Sequence, residues 1–227
     1  MLPRTLEPEV MDTAEEARDY DAMDHGAVNR TFVADFLAFR KGANHGPAGH
    51  ILDVGTGTAQ IPIELCTRDA HGRVTAIDLA EEMLRVGREN VRRAGLDGRI
   101  RLERWDAKRM PCPAGNFDAV ISNSIVHHIP EPADVLREMV RVTKPGGAIF
   151  VRDLARPADE TTLRRLVLQY AGDANAHQQQ MFADSLHAAL TVGEIADLVA
   201  ALGFPKTGVR MTSDRHWTWS AAKPAIG

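Results

Sequence analysis

Short apolar runs alternate with longer amphipathic stretches over residues 50–153, and this alternation limits the available folds more than any other feature. The long stretches have helical periodicity, whereas the short runs are apolar throughout, as are strands covered on both faces. Strands joined through helices need crossover connections, so their sheet is parallel. We predict strands at 50–55, 73–79, 100–106, 117–123 and 146–153, and helices at about 58–68, 80–94 and 132–143.

The flanking regions are expected to be mainly helical, except at the end of the chain. Apolar residues at helical spacing predict a helix at 26–40, followed by a loop at 42–49. The last two strands, 204–212 and 215–221, are separated by so short a turn that they must be antiparallel. Between these regions we predict three helices, at 159–171, 178–189 and 191–202.

Together these elements predict one α/β domain. Its sheet is expected to have seven strands, mostly parallel with an antiparallel last strand, and helices on both faces. Within residues 1–227 we distinguish an N-terminal helical cap or lid (1–45), a ligand-binding core (46–153), a second helical region (154–203) and a C-terminal hairpin (204–227).

The composition excludes several classes of protein. The formal net charge of -4 gives no general attraction to nucleic acid. Cys66 and Cys112 form no CxxC pair, so neither a disulfide framework nor a zinc site is expected. The acidic N-terminus has no apolar core of a signal peptide, and no run is long enough to span a membrane. We expect a cytoplasmic monomer or homodimer.

A glycine-rich turn, Asp53-Val54-Gly55-Thr56-Gly57-Thr58, follows the first predicted strand. Such a turn lets a ligand approach the backbone and directs N–H groups toward it. Dinucleotide-binding proteins use the same device, and Asp78, at the end of the second strand, suits the ribose of NAD as well as that of other adenosine ligands. The turn therefore indicates an adenosine-type ligand without identifying it.

Three features favour a ligand other than a dinucleotide. Gln60 stands where the dinucleotide pattern has its third glycine. Asp53 is poorly placed beside a pyrophosphate but suits a ligand with an ammonium group. Trp105 and Asp106 end the third strand, where they offer an apolar face and a hydrogen-bond acceptor to an adenine ring.

Four stretches carry a resemblance to a known family: LDVGTGTAQIPIEL, AIDLAEEML, RWDAKRMPCPAGNFDAVISNSIVHHI and LREMVRVTKPGGAIFVRD. In this order and spacing they resemble the class I S-adenosylmethionine (SAM)-dependent methyltransferases, and most of all the ubiquinone/menaquinone-biosynthesis C-methyltransferases. The resemblance covers about Ile51 to Asp153. It implies a Rossmann-like, doubly wound fold, SAM as cofactor, a small-molecule acceptor and S-adenosylhomocysteine as product.

The resemblance also implies roles for individual residues. Asp53, Gly55 and Gly57 would line the methionine end of SAM, and Asp78 would hold its ribose. Ala59 replaces the third glycine that the family often has. Trp105, Asp106 and Ala107 would hold the adenine, and Asn123 and Ser124 would face the methyl group. The predicted cofactor-binding residues are Asp53, Gly55, Thr56, Gly57, Asp78, Leu79, Trp105, Asp106, Ala107, Asn123 and Ser124, with Tyr20 added as part of a lid.

Roles on the acceptor side have two interpretations each. His127 or His128, after the fourth strand, is a candidate general base or a packed histidine. No metal is expected, because adjacent histidines without a third ligand are poorly spaced. Arg152, with Asp153 beside it, binds an acceptor carboxylate or forms an internal ion pair. Tyr20 belongs to a lid over SAM or to a mobile acidic tail.

Two other functions stay open at this point: an NAD(P)-dependent oxidoreductase and a non-catalytic SAM-binding protein. The sequence disfavours a nucleic-acid or protein methyltransferase, since Asn123-Ser124-Ile125-Val126 is not an NPPY-type motif. It does not identify the acceptor or the methylated atom.

Overall fold

The computed structural model describes residues 2–7, 12–23, 25–42 and 49–225. A seven-stranded sheet has the order β3-β2-β1-β4-β5-β7-β6 and confirms the predicted fold class. The strands are β1 (His50–Val54), β2 (Arg73–Asp78), β3 (Ile100–Arg104), β4 (Phe117–Asn123), β5 (Thr143–Leu154), β6 (Val209–Met211) and β7 (His216–Ala222). The helices are α1 (Ala14–Ala22), α2 (Gly26–Gly42), α3 (Gln60–Arg68), α4 (Glu81–Arg93), α5 (Pro132–Val142), α6 (Glu160–Ala171), α7 (Ala176–Ala188) and α8 (Val192–Ala201).

The pairing of the strands agrees with the sequence pattern. β1 pairs in parallel with both β2 and β4, β2 pairs in parallel with β3, and β6 pairs antiparallel with β7. The β1 strand is buried from Ile51 to Val54, because helices cover its apolar side chains on both faces. The carboxyl ends of β1, β2 and β4 thus lie along one edge of the sheet, where the predicted site residues begin.

Aromatic packing holds α2 against the core. The rings of Phe32 and Phe36 lie 5.4 and 5.8 Å from the ring of Phe150 in β5. All three side chains are almost fully buried. The apolar spacing that predicted this helix is therefore the face that packs on the sheet.

The chain forms two compact units. One consists of residues 1–9, 124–133 and 152–219, and the other of residues 10–123, 134–151 and 220–227. The single domain predicted over residues 1–227 stays a prediction. Its predicted boundary at 45–46 and most of the loop predicted at 42–49 lie outside the described residues.

Three elements differ from the sequence-based prediction. The strand predicted over 204–212 is only β6, Val209–Met211, because Lys206–Gly208 form a 3-10 turn before it. The α1 helix was not predicted, because it is mostly polar and Ala17 is its one buried residue among those described. The β5 strand starts at Thr143 rather than at residue 146. The N–H of Gly146 donates to the carbonyl of Lys223 at 2.8 Å, and the N–H of Lys223 donates to the carbonyl of Gly147 at 2.9 Å, so both glycines take part in the ladder of this strand.

In the part of the chain that the structure describes, no helix combines the length and the apolar character that crossing a membrane requires.

Candidate active site

The glycine-rich turn after β1 has the backbone conformation that its sequence favours. Gly55 and Gly57 have φ angles of 75° and 54°, in the left-handed region where glycine is unstrained. Ala59 also lies there, with φ 65°. The N–H groups of Gly55 and Thr56 both donate to the Ile77 carbonyl at 2.9 Å. These amides, which we expected to point at a ligand, are therefore engaged within the protein.

Asp78, the last residue of β2, joins two turns. Its Oδ2 accepts the Gly57 N–H at 2.8 Å, and its Oδ1 accepts the Ala80 N–H at 3.0 Å. Each carboxylate oxygen can accept more than one hydrogen bond. Asp78 therefore fixes both the glycine turn and the start of α4.

Asp53, within β1, is a buried carboxyl group at the base of the glycine turn. It is 1% exposed, and its Oδ2 has no hydrogen-bond partner among the described residues. Burial raises the pKa of Asp53 to about 7, the neighbouring Thr56 hydroxyl opposes the rise, and the Asp78 carboxylate adds to it. A buried acceptor without a partner is costly, which makes a cationic ligand group a favourable partner here.

Tyr20, on α1, lies against the glycine turn. Its ring carbon Cε1 would be 3.4 Å from a Cβ atom placed on Gly57. Burial, together with the nearby charges of Asp78 and Asp53, raises the pKa of Tyr20 to about 12. The residue predicted to belong to a lid therefore lies beside the predicted SAM residues, in the same compact unit.

A polar network attaches α1 to the turn and to α4. Asp21 Oδ1 accepts hydrogen bonds from Asn90 Nδ2 at 2.8 Å and from Gln60 Nε2 at 3.2 Å. Asn90 Nδ2 also donates to the Thr58 carbonyl at 3.1 Å, and Gln60 Oε1 accepts from Asn29 Nδ2 at 3.1 Å. The sequence marked Gln60 only as a missing glycine, so this network was not predicted.

The predicted adenine residues follow β3. The backbone N–H of Trp105 donates to the backbone carbonyl of Asp78 at 3.1 Å. This bond brings the turn after β3 next to the end of β2. Asp106 Oδ1 accepts the N–H of Lys108 at 2.9 Å and lies 3.1 Å from Lys108 Nζ. Trp105, Asp106, Ala107 and Leu79 are all partly exposed, so they remain accessible to a ligand.

The end of β4 contains a second buried acceptor. Asn123 Oδ1 is shielded from solvent and has no hydrogen-bond partner within the described part of the chain. Ser124, which follows, has φ 60°, an unusual angle for a residue other than glycine, and its N–H donates to the Arg152 carbonyl at 2.9 Å. Strain of this kind is typical of functional sites.

The two predicted acceptor-side histidines belong to a buried polar cluster. His127 is 3% exposed, and its Nδ1 lies 2.5 Å from Asp153 Oδ1. Burial opposes the charged imidazole, but the Asp153 carboxylate outweighs it and raises the pKa of His127. Asp153 Oδ2 accepts the N–H groups of Val126 and His127 at 2.5 and 3.2 Å. Asp153 therefore binds the side chain and the backbone of His127. The predicted contact of Asp153 with an acceptor stays a prediction.

Glu7 is part of the same cluster and was missed. Its Oε1 lies 3.0 Å from His128 Nδ1 and 3.5 Å from His127 Nε2.

Arg152, predicted to bind an acceptor carboxylate, is 5% exposed, and its Nε donates to Thr218 Oγ1 at 2.9 Å. The Arg152 side chain is therefore tied to β7, and its acceptor role stays a prediction.

The match to a known family covers the glycine turn and the strands around it. Residues 52–151 match the family profile described as a methyltransferase domain. Over these residues, a little under half of the chain, the protein is similar to that family. The match includes Asp53, Asp78, Asp106 and Asn123, and it confirms the resemblance found in the sequence.

Two curated relatives that match this chain are methyltransferases by name. Demethylmenaquinone methyltransferase of Listeria welshimeri is 38% identical over 122 residues, which cover 53% of this chain and 49% of the relative. The ubiquinone/menaquinone biosynthesis C-methyltransferase UbiE of Azotobacter vinelandii is 28% identical over 150 residues, 63% of this chain and 57% of the relative. This chain thus spans about half the length of the curated relatives it matches.

The fold of the methyltransferase domain has counterparts among solved structures. The plantazolicin methyltransferase BpumL, solved in complex with S-adenosylhomocysteine, has a TM-score of 0.73 and 15% identity. The likeness covers 91% of this chain and 88% of BpumL. At that identity the likeness concerns the fold alone.

Proposed function

We propose that this protein transfers a methyl group from SAM to a small-molecule acceptor and releases S-adenosylhomocysteine. The observation that carries the proposal is Asp53, a buried carboxyl group at the base of the glycine turn whose Oδ2 has no hydrogen-bond partner among the described residues. SAM has an ammonium group that suits this acceptor, whereas NAD(P) would bring a pyrophosphate. The domain match and the names of the relatives support the same reaction.

The residues of the site fit the parts of SAM. Asp53 would bind the ammonium group, and Asp78 would accept hydrogen bonds from the ribose hydroxyls while it holds the Gly57 turn. Trp105 offers its ring face to the adenine, and Tyr20 covers the glycine turn from α1. When bound, SAM supplies an electrophilic methyl group on a sulfonium. The protein's own task is to align the acceptor with that group and to exclude water.

The acceptor is proposed from the relatives rather than from the site. Both relatives are named for quinone biosynthesis, so a ring of the quinol class is the first acceptor to test. The methyl group replaces a hydrogen of the acceptor, so one proton leaves as the S–CH3 bond breaks and the new bond forms. Removal of that proton by His127 or His128, rather than by water, is a separate prediction.

Calorimetric titration with SAM, S-adenosylhomocysteine and NADH tests the proposal. We expect dissociation constants in the micromolar range for the two adenosyl ligands and no heat of binding with NADH. Release of S-adenosylhomocysteine in the presence of quinol-class acceptors then tests catalysis. Binding of NADH alone would refute the proposal, and SAM binding without turnover of any acceptor would favour a non-catalytic SAM-binding protein.

The affinity for SAM should depend on pH through Asp53. With a pKa of about 7, Asp53 is mostly neutral at pH 6 and mostly charged at pH 7.5. An ammonium group binds the charged form, so we expect the affinity to rise about fivefold to tenfold between these pH values. Tyr20 stays neutral throughout, because its pKa is about 12.

The stability of the free protein should change in the opposite direction. Because the pKa of Asp53 is raised in the folded state, the folded state binds this proton more tightly than the unfolded state does. The proton therefore stabilises the folded state at low pH, and this stabilisation is lost as the pH rises toward 7. The variant Asp53→Asn should bind SAM weakly and with a flat pH profile. An unchanged slope in Asp53→Asn would show that another group is responsible.

A further inference from the structure

Three side chains from two distant segments bring possible metal ligands together. Glu7, His127 and His128 each offer one ligand atom, and these atoms all lie within 4.8 Å of one another. Glu7 Oε1 is 3.0 Å from His128 Nδ1 and 3.5 Å from His127 Nε2. A tetrahedral ion with bonds of about 2.0–2.1 Å holds its ligand atoms about 3.3 Å apart. The two distances from Glu7 lie on either side of that spacing, and the ligand atoms of the two histidines lie within 4.8 Å of each other.

Two of these atoms are buried without a hydrogen bond. Glu7 Oε1 and His128 Nδ1 are shielded from solvent, and neither has a hydrogen-bond partner in the described ranges of the chain. The two atoms lie 3.0 Å apart as an ion pair, so in the free protein each is the other's polar neighbour. A bound cation would give both atoms a direct ligand bond in place of this ion pair.

His127 is oriented as a metal-binding histidine is. Its Nδ1 lies 2.5 Å from Asp153 Oδ1, which favours the tautomer with the proton on Nδ1. The lone pair of Nε2 then faces Glu7. Asp153 is itself fixed by the N–H groups of Val126 and Leu154, at 2.5 and 2.6 Å. A carboxylate behind a liganding histidine is a common arrangement around zinc.

We propose that Glu7, His127 and His128 bind a divalent transition-metal ion, with zinc as the first candidate, and that Asp153 positions His127 for it. Two imidazoles and one carboxylate form a known zinc donor set, which leaves a position open for water or a substrate oxygen. The sequence predicted no metal for lack of a third ligand, and Glu7 supplies that ligand. The site does not depend on SAM binding.

The neighbouring charges favour a cation overall. Glu7 and Asp153 carry negative charge, while Arg4 is the nearby positive group that acts on His127. The Arg4 guanidinium is directed at backbone carbonyls and donates to those of His127 and Ile129 at 3.2 and 2.9 Å.

The competing explanation is that a proton is shared between Glu7 and a histidine, without a metal.

Competitive zinc titration of the full chain, stripped of metal and mixed with a chromophoric chelator, separates the two explanations. We expect one equivalent of zinc to bind. Glu7→Gln and His128→Gln should each weaken it by about 10–100-fold or more. His177→Gln is the control, because it removes an exposed imidazole at the start of α7. Its zinc affinity should equal that of the unmodified chain.

Cobalt(II) provides a readout of geometry that does not depend on activity. Its visible spectrum should show four-coordinate binding in the unmodified chain and lose this character in both cluster variants. Absence of a bound equivalent in the unmodified chain would overturn the proposal, whatever the variants do. Zinc binding that survives both substitutions would also overturn it, because the ion would then lie elsewhere.

Discussion

Replacing Asp78 with alanine should weaken SAM binding by about 100-fold, equivalent to ~2.7 kcal/mol. The carboxylate accepts the N–H groups of Gly57 and Ala80, and both would lose their partner. The glycine turn would then lose the bond that holds it to β2, in addition to any direct bond from Asp78 to the ribose. Calorimetric titration with SAM at pH 7.5 measures the loss.

Two further variants give this prediction its controls. Asp97→Ala removes an exposed acid from the loop before β3, so the affinity should not change. Asp78→Asn keeps one oxygen acceptor but turns an amide toward the other N–H, so its affinity should lie between those of the unmodified chain and Asp78→Ala. An Asp78→Ala affinity within threefold of the unmodified chain would contradict the assignment of this residue to the site.

Replacing Asp153 with alanine should lower the free energy of unfolding by about 3–5 kcal/mol. The side chain is fully buried, and its two oxygens accept three backbone N–H groups, those of Val126, His127 and Leu154. The His127 ring would lose its partner as well. Urea unfolding at fixed pH, with the slope of the transition compared between variants, measures the change.

Asp159→Ala is the matched control for this effect. Asp159 is also an acid that accepts a backbone N–H, that of Thr162 at 2.8 Å, but it lies on the surface at the start of α6. Removing the Asp159 side chain should lower the free energy of unfolding much less than removing that of Asp153, because only a helix N-cap on the surface is lost. If Asp153→Ala does not fold, Asp153→Asn keeps one acceptor and should show an intermediate loss. A loss from Asp153 no larger than that from Asp159 would contradict the buried network.

Elements with a strong apolar pattern were predicted closely from the sequence. Both ends of β4 were predicted correctly, because residues 117–123 form an isolated apolar run. The α1 helix was missed because helix periodicity depends on a buried face, and this helix contributes little more than Ala17 to one. A local feature was nevertheless present: Thr13 and Glu16 form a capping box that starts the helix.

The candidate site was predictable only where it follows from strand ends. Asp53, Asp78 and Asn123 could be placed because a parallel sheet puts its carboxyl ends on one edge. Glu7 could not be placed beside His127, since nothing local relates residues so far apart in the chain. The direction of the Gly55 and Thr56 backbone N–H groups could not be predicted from the sequence either. It depends on the register between β1 and β2, which places these N–H groups beside the Ile77 carbonyl.

The three tryptophans of the chain differ in a way that makes one of them an optical reporter. Trp217 and Trp219 are fully buried in β7, whereas Trp105 is partly exposed beside Asp78, in the proposed adenine position. An adenine ring stacked on an indole alters the indole's emission, while the two enclosed indoles contribute a constant background. A change in fluorescence on adding cofactor is therefore assignable to Trp105 without labelling the protein, and Trp105→Phe would leave only the background.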